Sequence, residues 1–127
     1  LLVALAAERK TDTHHLSEVQ ALRFQQFLLL IERHAATTRD ASEYAEMLHV
    51  SYKSLNLLCK HACGQTAKQL IDAHAILEIK RRLIIGSAKI QEIAYQLGFD
   101  DVTYFVKFFK RHTQLTPSQF KDTHPIS

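Results

Sequence analysis

The sequence predicts an all-α domain, and three observations support this fold class. The 127-residue chain is 46% hydrophobic and 23% charged, which is typical of a soluble globular domain that is large enough to bury a core. It contains only three glycines and two prolines, so few positions interrupt a helix. Apolar residues recur mainly at three- and four-residue steps, without the alternating Val, Thr and Tyr pattern of strands.

The first 34 residues divide into two predicted parts. Residues 1–15 combine the helical composition of "LLVALAAERK" with the polar break "TDTHH", so we predict a linker or the end of an upstream domain. Residues 16–127 are predicted to form a second, compact domain. Its first element is an amphipathic helix over residues 16–34, because apolar residues recur there at helical spacing: Leu16, Val19, Phe24, Phe27, Leu28 and Ile31.

A short helix, a tight connection and a longer helix are predicted over about residues 40–62. Asp40 is a suitable N-cap for the short helix and Ser51 for the longer one, because their side-chain oxygens can accept from free backbone N–H groups. Gly64 is a plausible left-handed C-cap. The apolar positions of the two helices are Tyr44, Ala45, Leu48, Leu55, Leu58 and Cys59.

Three further segments complete the predicted domain. A long joining helix runs over about residues 66–85 and stops at Gly86, with apolar sides formed by Leu70, Ile71, Ala73, Leu77, Leu83 and Ile84. A second short helix and longer helix follow over about residues 90–112, with Asp100 or Asp101 as the cap. Thr116 and Pro117 then start a last short helix that ends near Asp122.

The two short–long helix pairs are copies of one unit. Ala45, Leu48 and Val50 correspond to Ala94, Leu97 and Phe99 at an offset of 49 residues. At an offset of 50, the correspondence continues with Leu55, Leu58, Cys59, Lys60 and Thr66 against Phe105, Phe108, Phe109, Lys110 and Thr116. Small alanines allow the paired helices to approach closely, and Gly98 permits positive φ in the second turn. The sequence therefore predicts a seven-helix domain with two helix-turn-helix units joined by a long helix.

Each longer helix has an outward side whose chemistry suits DNA. Lysine can bind guanine edges, asparagine can pair with adenine, and Thr and Val methyl groups can contact thymine. The predicted base-facing residues are Lys53, Asn56, Leu57, Val102, Thr103, Val106 and Lys107. Phosphate contacts are predicted near helix ends, where they position the protein without reading bases, at Ser51, Lys60, Lys110, Arg111 and Thr116.

Charge distribution and helix length agree with a polyanionic partner. Residues 1–50 carry five basic and seven acidic side chains, whereas residues 51–127 carry eleven basic and six acidic ones. A joining helix of about twenty residues spans roughly 30 Å, close to the ~34 Å of one DNA turn. We therefore expect the two longer helices, residues 51–61 and 101–111, to enter successive major grooves of double-stranded DNA.

The segment "EIAYQLGFDDVTYFVKFFKRHTQLTPSQFK" (92–121) closely resembles the signature of the AraC/XylS family of bacterial transcription regulators, and "YAEMLHVSYKSLNLLCK" (44–60) resembles that family's first helix-turn-helix. The resemblance covers about residues 40–122. It implies sequence-specific DNA binding in the bacterial cytoplasm at the nucleoid, behind an effector or dimerisation domain outside this chain, with RNA polymerase as a further candidate partner. Departures from the family pattern are Gln114 for glycine, Cys59 for phenylalanine, His74 for arginine and Leu57 for arginine.

Other functional classes have weaker support in the sequence. We predict no enzymatic activity, no cofactor and no metal, because there is no phosphate-binding glycine loop, no nucleophile elbow and no spaced ligand set among the eight histidines. Lys80, Arg81 and Arg82 fit a structural role at a helix C-terminus better than phosphate contact. Apolar runs are too short to span a bilayer, so no membrane partner is expected. The main alternative is a helical adaptor that binds another protein through residues 16–34.

Overall fold

The computed structural model describes residues 16–124, and within this range the chain forms helices and no strands. This confirms the all-α class. The predictions made for residues 1–15 and 125–127 lie outside the described residues. No helix between residues 16 and 124 is both long and apolar enough to cross a membrane. The helices are α1 (Glu18–His34), α2 (Ala41–Met47), α3 (Tyr52–Cys63), α4 (Ala67–Ile85), α5 (Ile90–Gln96), α6 (Val102–Thr113) and α7 (Pro117–Thr123).

The chain divides into two compact units, each containing one copy of the repeated pair. The first unit contains α1, α2, α3 and the start of α4. Its core centres on Phe27 and Tyr44, whose rings meet edge to face with centroids 5.8 Å apart. The side chains buried around them come from all four helices and include Ile31, Ala45, Leu48, Leu55, Leu58, Cys59, Ala67 and Ile71.

The second unit contains residues 35–38, most of α4, and α5 to α7. Phenylalanines dominate its core: the rings of Phe105 and Phe108 both contact the ring of Phe99, with centroids 5.0 and 5.3 Å from it. Phe109 meets Phe120 of α7 edge to face at 5.6 Å. Phe105, Phe108 and Phe109 therefore form the core side of α6.

Matching hydrogen bonds confirm that the two helix pairs are copies. The N–H of Val50 donates to the carbonyl of Ala45 at 3.0 Å, and the N–H of Phe99 donates to the carbonyl of Ala94 at 2.9 Å. Ser51 caps α3, and Asp101 rather than Asp100 caps α6 through a 2.9 Å bond from the N–H of Thr103.

Both copies also use left-handed backbone at the same two places. The turn residues are His49 (φ 58) and Gly98 (φ 84), and the C-caps are Gly64 (φ 78) and Gln114 (φ 71).

Three residues assigned to apolar helix faces are instead exposed. Leu77 is 47% exposed and Ala73 also lies at the surface of α4, whereas the buried residues of this helix are Ala67, Ile71, Asp72, Ala75, Ile76, Ile79 and Leu83. Val19 of α1 is 62% exposed. These helices carry apolar residues on more than one face, so periodicity alone does not identify the face that meets the core.

Candidate nucleic-acid interface

α3 and α6 are held in their units by their apolar sides, which leaves one side of each helix exposed. In α3 the exposed side carries Lys53, Leu57 and Lys60, and Leu57 is 52% exposed. In α6 the corresponding positions, at the offset of 50 residues, carry Thr103, Lys107 and Lys110, which are all exposed. We call these two sets the α3 stripe and the α6 stripe. Their spacing of three and four residues places each set along one helical face.

Val102 and Val106 were predicted to point outward, and the structure shows them only partly exposed. Both valines are half-buried and pack against the core of the second unit, so they lie at the flank of the α6 stripe. The flanking position leaves part of each side chain accessible beside Thr103 and Lys107. Their contact with bases stays a prediction. The valine side chains offer less accessible surface for it than a fully outward position would.

Asn56 also differs from its predicted outward placement. Its side chain is half-buried, and Oδ1 accepts a 3.0 Å hydrogen bond from the backbone N–H of Ala67. Ala67 is the first residue of α4, where a helix has no internal acceptor for its N–H groups. Asn56 thus joins α3 to the start of α4, and its amide oxygen is occupied by the protein itself.

The predicted phosphate-binding residues fall into two groups. Lys60, Lys110 and Arg111 are exposed cations in the second half of their helices, and the Arg111 guanidinium lies 5.7 Å from the centre of the Phe108 ring. The Ser51 and Thr116 hydroxyls instead cap helices, because they accept from the N–H groups of Ser54 and Gln119 at 3.0 and 3.1 Å. Among these five residues, Lys60, Lys110 and Arg111 therefore present charge to an anionic partner.

Two residues hold the C-terminal end of α6. His112 Nδ1 lies 2.9 Å from the Phe108 carbonyl, and its Nε2 lies 3.6 Å from Oδ2 of the buried Asp72 in α4. Both ring nitrogens of His112 thus face acceptors, and the ring also packs on Phe108 with centroids 4.6 Å apart. These contacts orient the α6 stripe relative to α4 within the second unit.

The basic residues near the end of α4 have structural partners. Arg81 Nη1 lies 3.1 Å from Glu78 Oε2, and Arg82 Nη1 donates to Gln96 Oε1 at 2.8 Å. Lys80 Nζ lies 5.7 Å from the centre of the Phe120 ring. These contacts support the predicted structural role of Lys80, Arg81 and Arg82 over a role in phosphate binding.

Two exposed tyrosines lie beside the stripes and were not among the predicted site residues. Tyr52 is 49% exposed at the first position of α3, where the offset of 50 residues pairs it with Val102. Because Val102 is a predicted site residue, its counterpart in the first copy, Tyr52, could have been predicted from the repeat. Tyr104 of α6 is 45% exposed, and its ring centroid is 6.0 Å from that of Phe99. No motif in the sequence singled this residue out.

The chain is similar to known regulators in sequence and in structure. A family model described as "Helix-turn-helix domain" matches residues 44–123. The "Xylose operon regulatory protein" of Escherichia coli K12 is 23% identical over 122 residues, which cover 96% of this chain and 30% of that protein. The "HTH-type transcriptional activator RhaS" of E. coli O139:H28 is 25% identical over 113 residues, which cover 89% of this chain and 41% of that protein. The chain thus spans less than half the length of these curated relatives.

Two solved structures share the fold. The C-terminal domain of AraT, a response regulator from Geobacillus stearothermophilus, superposes with a TM-score of 0.76 and 26% identity, covering 88% of this chain and 90% of that one. The C-terminal domain of the two-component response regulator yesN from Fusobacterium nucleatum gives a TM-score of 0.70 and 28% identity, covering 76% and 95%.

Proposed function

This chain belongs to the AraC-type helix-turn-helix family, and from this membership we propose that it is the sequence-specific, double-stranded DNA-binding part of a transcription regulator. The observation that carries the proposal is the duplication: two copies of one helix-turn-helix each expose a stripe that contains lysine on the second helix. An unrelated solvated surface would not place polar, groove-compatible side chains at corresponding positions of both copies.

We assign the roles within the interface from exposure and hydrogen bonding. Lys53, Leu57, Thr103 and Lys107 read base edges, with Val102 and Val106 adding apolar contact at the flank of the α6 stripe. Lys60, Lys110 and Arg111 contact phosphates and supply most of the affinity. Asn56, Ser51 and Thr116 act mainly through the helix starts that they cap, because their side-chain oxygens already accept backbone hydrogen bonds.

We further propose that α3 and α6 read successive major grooves. α4 has 19 residues and so a length of about 28 Å, which is close to the ~34 Å between equivalent groove positions one turn apart. Leucine at position 57 cannot donate a hydrogen bond to guanine, so α6 with Lys107 contributes the stronger base discrimination. A footprint that covers only one half-site would contradict the two-groove arrangement.

Selection of binding sites from random DNA duplexes tests the function directly. The expected result is an enriched sequence whose affinity falls steeply with salt, because bound lysine and arginine release counterions from phosphates. The rival adaptor would bind peptides or proteins through α1, with little dependence on salt and no enriched duplex. Absence of an enriched duplex at low salt would contradict the DNA-binding proposal.

The intact regulator is proposed to contain more than this DNA-binding part. The matching segments make up 30% and 41% of the two curated relatives, which supports an effector or dimerisation domain elsewhere in the whole protein. Action at the bacterial nucleoid and contact with RNA polymerase follow from the family resemblance and stay predictions. We propose a binding role without catalysis, since the interface consists of lysines, an arginine, a threonine and apolar side chains.

A further inference from the structure

The side of α1 that faces away from the core carries two exposed leucines. Phe27 and Ile31 are buried against the first unit, whereas Leu22 and Leu29 are 61% and 58% exposed on the opposite side. At 100° per residue, the outward direction of the leucines differs from that of the buried pair by about 170°. A surface helix normally places polar residues there, so this apolar exposure indicates a contact surface.

The residues around these leucines form a palindromic stripe with opposite charges at its ends. Glu18 precedes Leu22 by four residues, and Arg33 follows Leu29 by four residues. These four exposed residues lie within about 60° of one another around the helix axis and span roughly 22 Å. The exposed Gln25 and Gln26 lie at the centre. We call this set the α1 stripe.

We propose that the α1 stripe is a self-association surface through which two copies of this chain pair their α1 helices antiparallel. A two-fold axis between Gln25 and Gln26 sets Leu22 of one copy against Leu29 of the other, and the reverse pair forms by symmetry. The same axis brings Glu18 opposite Arg33 twice. Every contact is therefore matched, as an isologous interface requires.

Charge complementarity selects a second copy and the antiparallel direction. A parallel pair would set Glu18 against Glu18 and Arg33 against Arg33, and like charges in opposed positions disfavour pairing. The surface is small relative to that of a stable dimer, whose interface buries about 1,200–2,000 Å². The association is therefore weak on its own. It becomes effective when two copies are held close together, for example on neighbouring DNA sites.

Charge reversal with rescue tests the proposal on the 127-residue chain. Sedimentation velocity from about 10 μM to 1 mM follows dimer formation of the wild type, Glu18→Arg, Arg33→Glu and the double variant. Each single variant is expected to weaken dimerisation at least tenfold, because it creates two like-charge contacts in the pair. The double variant restores both opposite-charge pairs and is expected to return to within about threefold of the wild type.

Two results would overturn the proposal. One is a wild-type chain that stays monomeric up to 1 mM, and the other is a double variant that stays as weak as the single ones. Circular dichroism checks that the variants fold, which is expected because both charged side chains are exposed. Affinity for a single DNA site provides a separate measurement. The variants are expected to keep this affinity within about threefold of the wild type. A wild-type chain that binds DNA but does not self-associate would reject this inference and leave the proposed function intact.

Discussion

Asn56 in α3 and Ala67 at the start of α4 are joined by a 3.0 Å hydrogen bond, and the second copy replaces both partners together. At the offset of 50 residues, Asn56 corresponds to Val106, which has no acceptor, and Ala67 corresponds to Pro117, which has no N–H. The first helix position leaves an N–H without an internal acceptor. One copy satisfies this N–H with an amide oxygen, and the other removes it with proline.

This exchange predicts a compensating pair of substitutions in the first copy. Asn56→Val should lower the free energy of unfolding by about 1–3 kcal/mol, because it leaves the N–H of buried Ala67 without its acceptor. Adding Ala67→Pro should recover at least about 1 kcal/mol of that loss, since the proline has no N–H to satisfy. Urea unfolding of the wild type, both single variants and the double variant measures the coupling.

Additive losses in this double-mutant cycle would contradict the proposed compensation. The same variants also examine the role of Asn56 in DNA recognition. If Asn56 acts through the helix junction, the double variant should select the same DNA sequence as the wild type. A changed preference at one base pair in the double variant would show that Asn56 contacts a base.

Substitution of Gly98 should be much more damaging than substitution of Gly64. Both glycines have positive φ, but a Cβ on Gly98 would lie 2.9 Å from the carbonyl carbon of Ala36 and closer still to its oxygen, whereas a Cβ on Gly64 would meet nothing within 4 Å. Gly64→Ala should cost about 1–2 kcal/mol from left-handed backbone alone. Gly98→Ala should cost roughly 1–3 kcal/mol more, because the backbone must move, and Gly98→Val more again. Equal melting temperatures for the two alanine variants would show that the Ala36 contact is unimportant.

Gln114→Gly should stabilise the protein. Gln114 adopts φ 71 at the C-cap of α6, the position that glycine occupies in the first copy. Because a residue with a Cβ is disfavoured in this conformation, glycine should raise the free energy of unfolding by about 1 kcal/mol. Gln114→Ala is the matched control, since it removes the side-chain amide but keeps the Cβ. If Gln114→Ala stabilised the protein as much as Gln114→Gly, the cause would be loss of the glutamine side chain and not relief of the backbone.

The two cysteines should differ sharply in reactivity. Cys63 is exposed, whereas Cys59 is buried, and burial together with the neighbouring Cys63 raises the pKa of the Cys59 thiol from 9.0 to about 12. Because the thiolate is the reactive form, a thiol reagent at pH 8 should modify one equivalent in the folded protein and two after denaturation. Rapid modification of two equivalents in the native protein would contradict the buried position of Cys59.

The same pKa shift predicts loss of stability at alkaline pH. The folded state retains the Cys59 proton more strongly than the unfolded state. The contribution of this thiol to the free energy of unfolding is therefore fully present below about pH 9 and is lost as pH rises towards 12. Tyr44 acts in the same direction, because burial, aided by Glu43, raises its pKa from 10.0 to about 12. Unfolding free energies measured from pH 8 to 11 should decline, and Tyr44→Phe should reduce the decline above pH 10.

Lys107 and Lys110 should give different losses in DNA binding. Lys107→Ala should weaken binding to the selected site by about 1–3 kcal/mol and relax the preference at one base pair. Lys110→Ala should weaken binding to all sequences similarly and reduce the slope of log affinity against log salt by about one. The two variants form a matched pair on one exposed face of α6. A uniform loss across sequences for Lys107→Ala would reassign this lysine to phosphate contact.

The helices and their repetition could be predicted from the sequence because they depend on neighbours a few residues apart. Apolar spacing predicted α3 and α6, and the caps Ser51 and Asp101 act on backbone groups two or three residues away. Gly98 was recognisable as a turn residue for the same local reason. The exposed stripes of α3 and α6 then followed as the sides opposite the apolar faces.

What only the tertiary structure decided depends on groups distant in the chain. The hydrogen bond to Ala67, eleven residues away, joins Asn56 to the start of α4, a contact that spacing within α3 could not show. The close approach of Ala36, 62 residues before Gly98, makes that glycine necessary for space as well as for φ. Apolar spacing on α4 likewise did not reveal that Leu77 faces solvent while Ile79 is buried. Sequence spacing defines directions around one helix axis, whereas packing determines which of those directions meets another part of the chain.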